Sequence, residues 1–241
     1  MRKFALFACS VFALAACAKH DPILPGVRTA VFDAAEINVL NTEIPNLPDA
    51  PVHAASDDCP YTQDSSNVIW HGDKKIFSGF PTNNSVKNTA RPVCDGKFVY
   101  AGLTTGELVK INGTTRQIQW IADIYRASNM TGGASVLDIV APIVVTKNGV
   151  YAGGIGDAFC RINPASGAKK WCANIGVAVP FVITDAAAFV VATDGNLYAV
   201  RTDDGAVYWR ASVDTQSAPK YTNKRVSVGR QTFDAATGRQ L

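Results

Sequence analysis

The sequence predicts an all-β fold, a propeller of four-stranded antiparallel blades, and three observations predict it. A Trp closing a short Gly-led segment recurs at Trp120, Trp171 and Trp209, with an earlier copy at Trp70. The intervals are 50, 51 and 38 residues, and a period of about 40–50 residues that rebuilds one small unit marks a propeller or a solenoid. A Pro leads three of these segments: Pro92 precedes Trp120 by 28 residues, Pro142 precedes Trp171 by 29 and Pro180 precedes Trp209 by 29. Between each Pro and its Trp lie short β-branched and aromatic runs, punctuated by Gly, Asn and Asp. Such runs read as antiparallel hairpins.

The chain opens with Met1-Arg2-Lys3 and the apolar run Phe4 to Ala13. That is the charged start and short apolar stretch of a bacterial secretory signal, residues 1–16, too short to act as a membrane span. Leu14-Ala15-Ala16-Cys17 then looks like the cleavage box of bacterial lipoproteins, in which the Cys becomes the first residue and is acylated. Several acyl chains hold a protein stably on a membrane where one holds it marginally. The residue after Cys17 is Ala18 rather than Asp, which in lipoproteins of this type directs export to the outer membrane. Removing residues 1–16 takes away Arg2 and Lys3 and leaves 21 basic against 20 acidic residues. That balance gives no polyanion partner and no basic stripe for nucleic acid.

Residues 17–66 carry Asp21-Pro22, Leu24-Pro25-Gly26, Asn46-Leu47-Pro48-Asp49 and Ala50-Pro51, and read as the lipidated Cys followed by an extended tether. The propeller is expected over 67–241. Its third repeat is the clearest. Pro180-Phe181-Val182-Ile183-Thr184 is the first strand and Ala188-Phe189-Val190-Val191-Ala192 the second. Thr193-Asp194-Gly195-Asn196 turns into Leu197-Tyr198-Ala199-Val200-Arg201, and Asp203-Asp204-Gly205 into Val207-Tyr208-Trp209-Arg210-Ala211. The second repeat aligns through Pro142-Ile143-Val144-Val145, Gly149-Val150-Tyr151-Ala152-Gly153, Phe159-Cys160-Arg161-Ile162 and Lys170-Trp171-Cys172. The first aligns through Phe98-Val99-Tyr100-Ala101-Gly102, Glu107-Leu108-Val109-Lys110-Ile111 and Ile118-Gln119-Trp120.

A fourth, shorter copy begins at Pro219, runs through Arg225-Val226-Ser227-Val228 and Gln231-Thr232-Phe233, and turns at Asp234-Ala235-Ala236-Thr237-Gly238. In the second and third repeats the Trp follows the turn Gly by four residues, and four residues past Gly238 lies beyond Leu241. The expectation is therefore that Asn67-Val68-Ile69-Trp70 supplies the missing outer strand and closes a ring of four blades, leaving no free edge.

The runs Ile162-Asn163-Pro164-Ala165-Ser166-Gly167-Ala168-Lys169-Lys170-Trp171 and Phe233 to Leu241, with Asp194-Gly195-Asn196-Leu197-Tyr198-Ala199-Val200, resemble the PQQ-type propeller repeat. Together with the cleavage box, the tether His20 to Arg28 and the lead Leu47-Pro48-Asp49-Ala50-Pro51, they make the chain similar to BamB-type outer-membrane assembly lipoproteins. Members of that family usually have eight blades, whereas this chain has room for four. The resemblance implies an outer-membrane-anchored periplasmic scaffold that helps β-barrel proteins fold and insert. Its partners would be the periplasmic domains of the central barrel subunit, bound without covalent chemistry, cofactor or metal.

The same repeat builds quinoprotein dehydrogenases, so a PQQ-dependent enzyme is the alternative. A periplasmic propeller that binds peptides or ligands outside barrel assembly is the third reading. Against the enzyme stand the absence of an adjacent Cys pair, of a Gly-x-Ser-x-Gly, of a phosphate loop and of metal-spaced His, Cys or acidic residues. The acids sit in turns (Asp194, Asp203, Asp204) or in the tether (Asp57, Asp58), and His20, His53 and His71 are scattered. The repeated Trp residues read as packing between blades.

Four cysteines remain beyond Cys9 and Cys17, in a compartment that permits disulfides. Cys160 and Cys172 flank one hairpin turn, as a cross-strand disulfide or as two small buried thiols, and Cys59 with Cys94 is the leftover pair. The insertion Arg126 to Leu137, which includes Met130, is either a partner-binding loop or a tolerated insertion.

Overall fold

Eighteen strands run through the described residues, and every pairing between them is antiparallel. The computed structural model describes residues 37–52, 58–82, 90–124 and 137–241, which belong to one unit spanning Ile37–Leu241. The strands form five sheets. The first is β1 (Tyr61–Gln63), β2 (Val68–His71) and β3 (Lys74–Ser78). The second, blade II, is β4 (Val93–Asp95), β5 (Phe98–Gly102), β6 (Glu107–Asn112) and β7 (Gln117–Asp123). Blade III is β8 (Val144–Thr146), β9 (Gly149–Gly154), β10 (Ala158–Ile162) and β11 (Lys169–Ala173). Blade IV is β12 (Val182–Ile183), β13 (Ala187–Val191), β14 (Asn196–Arg201) and β15 (Val207–Ser212). The last sheet, blade V, is β16 (Lys220–Thr222), β17 (Arg225–Val228) and β18 (Gln231–Asp234), with Gln240 returning to bridge Phe233.

Hairpin succession explains this order, because the turns are short and most of them hold a residue at positive φ. Gly195 (φ 83°) and Gly205 (φ 78°) are such residues in blade IV. Both faces of the middle strands are buried, so β13 and β14 read as nearly continuous apolar runs. Four apolar clusters result, one in each gap between neighbouring sheets. Val150, Ala152 and Ile162 of blade III meet Tyr100 and Trp120 of blade II, and Phe189 and Leu197 of blade IV meet Val226 and Phe233 of blade V.

One device repeats across three gaps. The β6–β7, β10–β11 and β14–β15 ladders each carry a register shift, at Lys110/Ile111, Arg161/Ile162 and Ala199/Val200. Such a bulge increases local twist and re-aims the residues beside it, and each lies next to the Trp of its outer strand. The indole N–H of Trp120 donates to Pro164 O (3.1 Å), that of Trp171 to Thr202 O (2.8 Å) and that of Trp209 to Ala235 O (3.1 Å). The rings lie over Gly167, Gly205 and Gly238 of the next blade, all at positive φ (72°, 78° and 72°). A Cβ on those glycines would come within 2.8, 2.7 and 2.6 Å of a ring carbon. Glycine is required there twice over, by backbone conformation and by space.

The expected closing strand behaves differently. Val68–His71 pairs with β1 and β3 inside the first sheet, and blade V is extended by Gln240. Trp70 therefore completes no other blade. Its indole N–H donates to Asp64 Oδ2 (3.0 Å) within its own sheet. The physical reason lies in Asn67, which is fully buried. Its Nδ2 donates to Phe80 O (2.7 Å) and Thr104 Oγ1 (2.7 Å), while its Oδ1 accepts from Thr104 N (2.9 Å). Those bonds, the Cys59–Cys94 disulfide and the packing of Ile69 against Val99, Val109 and Ile111 commit this sheet to blade II.

The expected tether also differs in its later part. Residues 37–52 lie against blades IV and V. Val39 bridges Val207 in parallel, with Leu40 N donating to Val207 O (2.9 Å) and Thr42 N to Tyr208 O (3.2 Å). Ile44 and Leu47 are buried, Asn223 N donates to Asp49 O (2.9 Å), and Val52 N donates to Ile183 O (2.8 Å). The Tyr221 hydroxyl donates to Pro48 O. Pro and Asn prevent regular structure here, but the apolar residues among them fill a gap between blades and cover the outer edge of β15.

Candidate partner-binding surface

The turn acids are held by local bonds. Asp194 accepts from the Tyr198 hydroxyl (2.6 Å), and Asp204 takes the Arg201 guanidinium at 2.7 and 2.5 Å. The Arg201 bonds hold the Asp204 carboxyl below its ordinary value, and burial together with Asp194 pushes the Tyr198 phenol up to about 12. Asp234 accepts from Thr237 N (2.9 Å) and Thr237 Oγ1 (2.8 Å), and Asp64 from Ser66 N, Val68 N and Trp70. For both Asp234 and Asp64, burial works against the charge, yet these bonds outweigh it and keep the carboxyls low. Among the described residues no group of three or more His, Cys, Asp or Glu is placed to hold a metal ion.

A small polar cleft of about 30 Å³ opens between blades III and IV, lined by Thr146, Asn148, Tyr151, Arg161, Thr202 and Asp203, among others. Arg161 is already committed, donating Nη1 to Thr202 O (2.8 Å) and Nη2 to Asn148 O (2.7 Å), with Asp203 at 3.9 Å. Lys110 does the same one blade earlier. It donates Nζ to Pro164 O (2.7 Å) while lying 3.9 Å from the Phe98 ring centre, and burial lowers its pKa. The carbonyl that receives the indole therefore also receives a cation in two gaps. These cations fasten one blade to the next.

The structure joins Cys160 to Cys172 across β10 and β11, and Cys59 to Cys94 between the first sheet and β4. Leu137 is half-buried beside the Asp138 and Ile139 pair that enters blade III. Cys17, Arg126 and Met130 lie outside the described residues. Exposed apolar side chains gather on β7, where Ile118 is 50% and Ile121 47% exposed. The sequence does not mark that pair as one face, because Ile-x-x-Ile in a strand points to opposite faces unless a bulge intervenes.

A family model described as outer membrane protein assembly factor BamB matches residues 52–211 and 160–241. The chain belongs to the BamB family. No curated protein matches it. Among solved structures, BamB from Moraxella catarrhalis superposes with a TM-score of 0.53 at 16% identity, over 83% of this chain and 66% of that one. A quinohemoprotein alcohol dehydrogenase from Pseudomonas putida HK5 superposes at 0.57 and 15% identity, over 83% and 42%. The computationally designed Ika8 protein superposes at 0.54 and 14%, over 77% and 59%. The chain thus spans about two thirds or less of each of these proteins. At such identity they show the fold alone, an all-β propeller architecture, and the PQQ-type repeat rests on the family match. Among the described residues no helix is long and apolar enough to cross a membrane.

Proposed function

We propose that the protein is a lipid-anchored scaffold on the periplasmic face of the outer membrane, assisting β-barrel assembly by protein–protein binding. The family match over residues 52–241 carries this reading. The lipoprotein cleavage box at Leu14 to Cys17 supports the anchor, with residues 1–16 removed and Cys17 acylated. The partners are the periplasmic domains of the central barrel subunit. The mechanism is orientation of partners on a rigid array, with the insertion Arg126 to Leu137, which includes Met130, as the candidate for further contact.

Among the described residues the donor set does not fit a quinone cofactor with its metal, since no group of three or more His, Cys, Asp or Glu is placed to hold one. Asp64, Asp194, Asp204 and Asp234 are engaged in their own turns, and both disulfides join cysteines distant in sequence.

Affinity purification of the acylated protein from outer membranes in mild detergent tests the reading. Recovery of the barrel-assembly subunits with the wild-type chain, and their loss with Cys17→Ala in the membrane fraction, is the expected result. Absence of those subunits from the wild-type preparation overturns it. Dye reduction that depends on added quinone and calcium would revive the enzyme alternative.

A further inference from the structure

The outer edges of the blades are finished in three different ways. The register shift in blade II sets Ile118 opposite Ile111 and Ile121 opposite Val109, so both isoleucines extend the apolar face that Val109 and Ile111 share with the first sheet. The equivalent positions in blade III, opposite Ile162 and Cys160, are Lys169 and Cys172, a charge and a disulfide partner. In blade IV the position opposite Val200 is Val207, which is 2% exposed because Ile37 and Val39 cover it. Cover on β15 is an extended segment running parallel to it, joined through Leu40 N and Thr42 N.

Blade II alone of these three keeps an apolar outer edge without cover among the described residues. β7 is the terminal strand of its sheet and carries no Lys or Arg, the residues that usually protect an edge from pairing. Its only charge is Asp123, paired across the ladder with Glu107, so its C-terminal end is acidic. We infer that β7 is a strand-addition site that receives an extended segment of a partner protein, parallel to β7, with alternating apolar residues and a basic C-terminal end. The covered edge of β15 supplies the precedent within the same chain, and the acidic pair supplies the charge complement. This inference rests on the scaffold reading for its partner being a protein, and it places that partner on a named strand.

The test uses the full chain and a short synthetic peptide alternating Val and Thr and ending in two Lys residues. Wild-type protein is expected to bind the peptide, with slowed amide exchange appearing at Gln117–Asp123. Ile118→Lys with Ile121→Lys should leave the melting temperature unchanged, since both side chains are exposed, and weaken binding by about tenfold or more. Ile118→Thr with Ile121→Thr should weaken it less. Lys169→Glu, at the corresponding edge of blade III, should change nothing. The inference is overturned by no peptide binding to wild type, equal binding by the double Lys variant, equal binding of a peptide ending in Glu, or β7 amides already protected without peptide by another segment of the chain. If barrel-assembly subunits are recovered equally with wild type and the double Lys variant, the scaffold reading stands and this site falls.

Discussion

Blades II to V and the sheet in front of them solve the same problem, holding one antiparallel sheet against the next, by different means. The blades use one part three times: an indole from the outer strand laid over a glycine of the following turn and bonded to a backbone carbonyl. The front sheet uses individual parts, namely buried Asn67, the Cys59–Cys94 disulfide and Tyr61, which occupies the space beside Gly113. Where the repeat would place a glycine in blade II stands Arg116, at φ 59°, and no Trp docks on it. The difference teaches that the docking part needs both halves. Trp70 has no glycine turn to meet, so its indole turns back to Asp64.

Truncating the repeated part should be the most damaging change. Trp171 is buried between blades III and IV, with Phe159 at 5.7 Å and Tyr151 at 6.2 Å between ring centres. Trp171→Ala should cost about 3–5 kcal/mol in denaturant unfolding, while Trp70→Ala, half-buried, costs much less. Equal losses would show that the docking part contributes nothing beyond an ordinary aromatic. Gly205→Ala probes the same joint from the other side and should approach the Trp171 loss, since its Cβ would meet the indole.

For the front sheet the corresponding weak point is Asn67. Asn67→Ala strands the Thr104 amide without its acceptor and frees Phe80 O, so a loss of about 2–3 kcal/mol is expected. Hydrogen exchange locates the damage: amides of β2 and β3 should open first while β13 and β14 stay protected. Uniform loss across all sheets would mean the front and the blades unfold as one unit.

Legibility followed the same division. The blades were readable because Pro, turn Gly and Trp recur at nearly fixed spacing, and Gly-containing turns between β-branched runs have one common solution. Trp70 differs from its expected place because a Trp in a strand looks alike in sequence whether it docks on a neighbour or bonds its own turn. Residues 37–52 read as tether because Ile37, Val39, Ile44 and Leu47 are scattered among Asn and Pro with no period, and only the gap they fill gives them order. The β7 edge was hidden for a subtler reason. One extra residue at the Lys110/Ile111 shift puts Ile118 and Ile121 on one face, and a bulge has no composition that marks it.

Acid should separate the two regions further. The docked indoles of the blades donate to neutral carbonyls, whereas Trp70 donates to the Asp64 carboxylate. The folded Asp64 pKa lies below the ordinary 3.8, because the bonds from Trp70, Val68 and Ser66 outweigh its desolvation. That stabilisation is therefore complete above pH 3.8 and is lost as pH falls through the lower folded value. In an acid titration by NMR, the Trp70 indole signal should shift first, ahead of Trp120, Trp171 and Trp209. Simultaneous movement of all four would mean the carboxylate does not distinguish the front sheet.

The smallest expected effect has the opposite sign. Arg116 is exposed, holds positive φ in the β6–β7 turn and has no partner ring above it, so its Cβ meets an unfavourable backbone without compensation from packing. Arg116→Gly removes that strain but gives the unfolded chain more freedom, which offsets part of the gain. The net should be a stabilisation of about 0.5 kcal/mol. In Gly167, Gly205 and Gly238 the same residue type serves both conformation and docking, so the reverse changes there should be far more costly than this gain. If Arg116→Gly instead destabilises the protein, its side chain is fastening blade II to the front sheet, and the two regions are joined by a contact of their own at that turn.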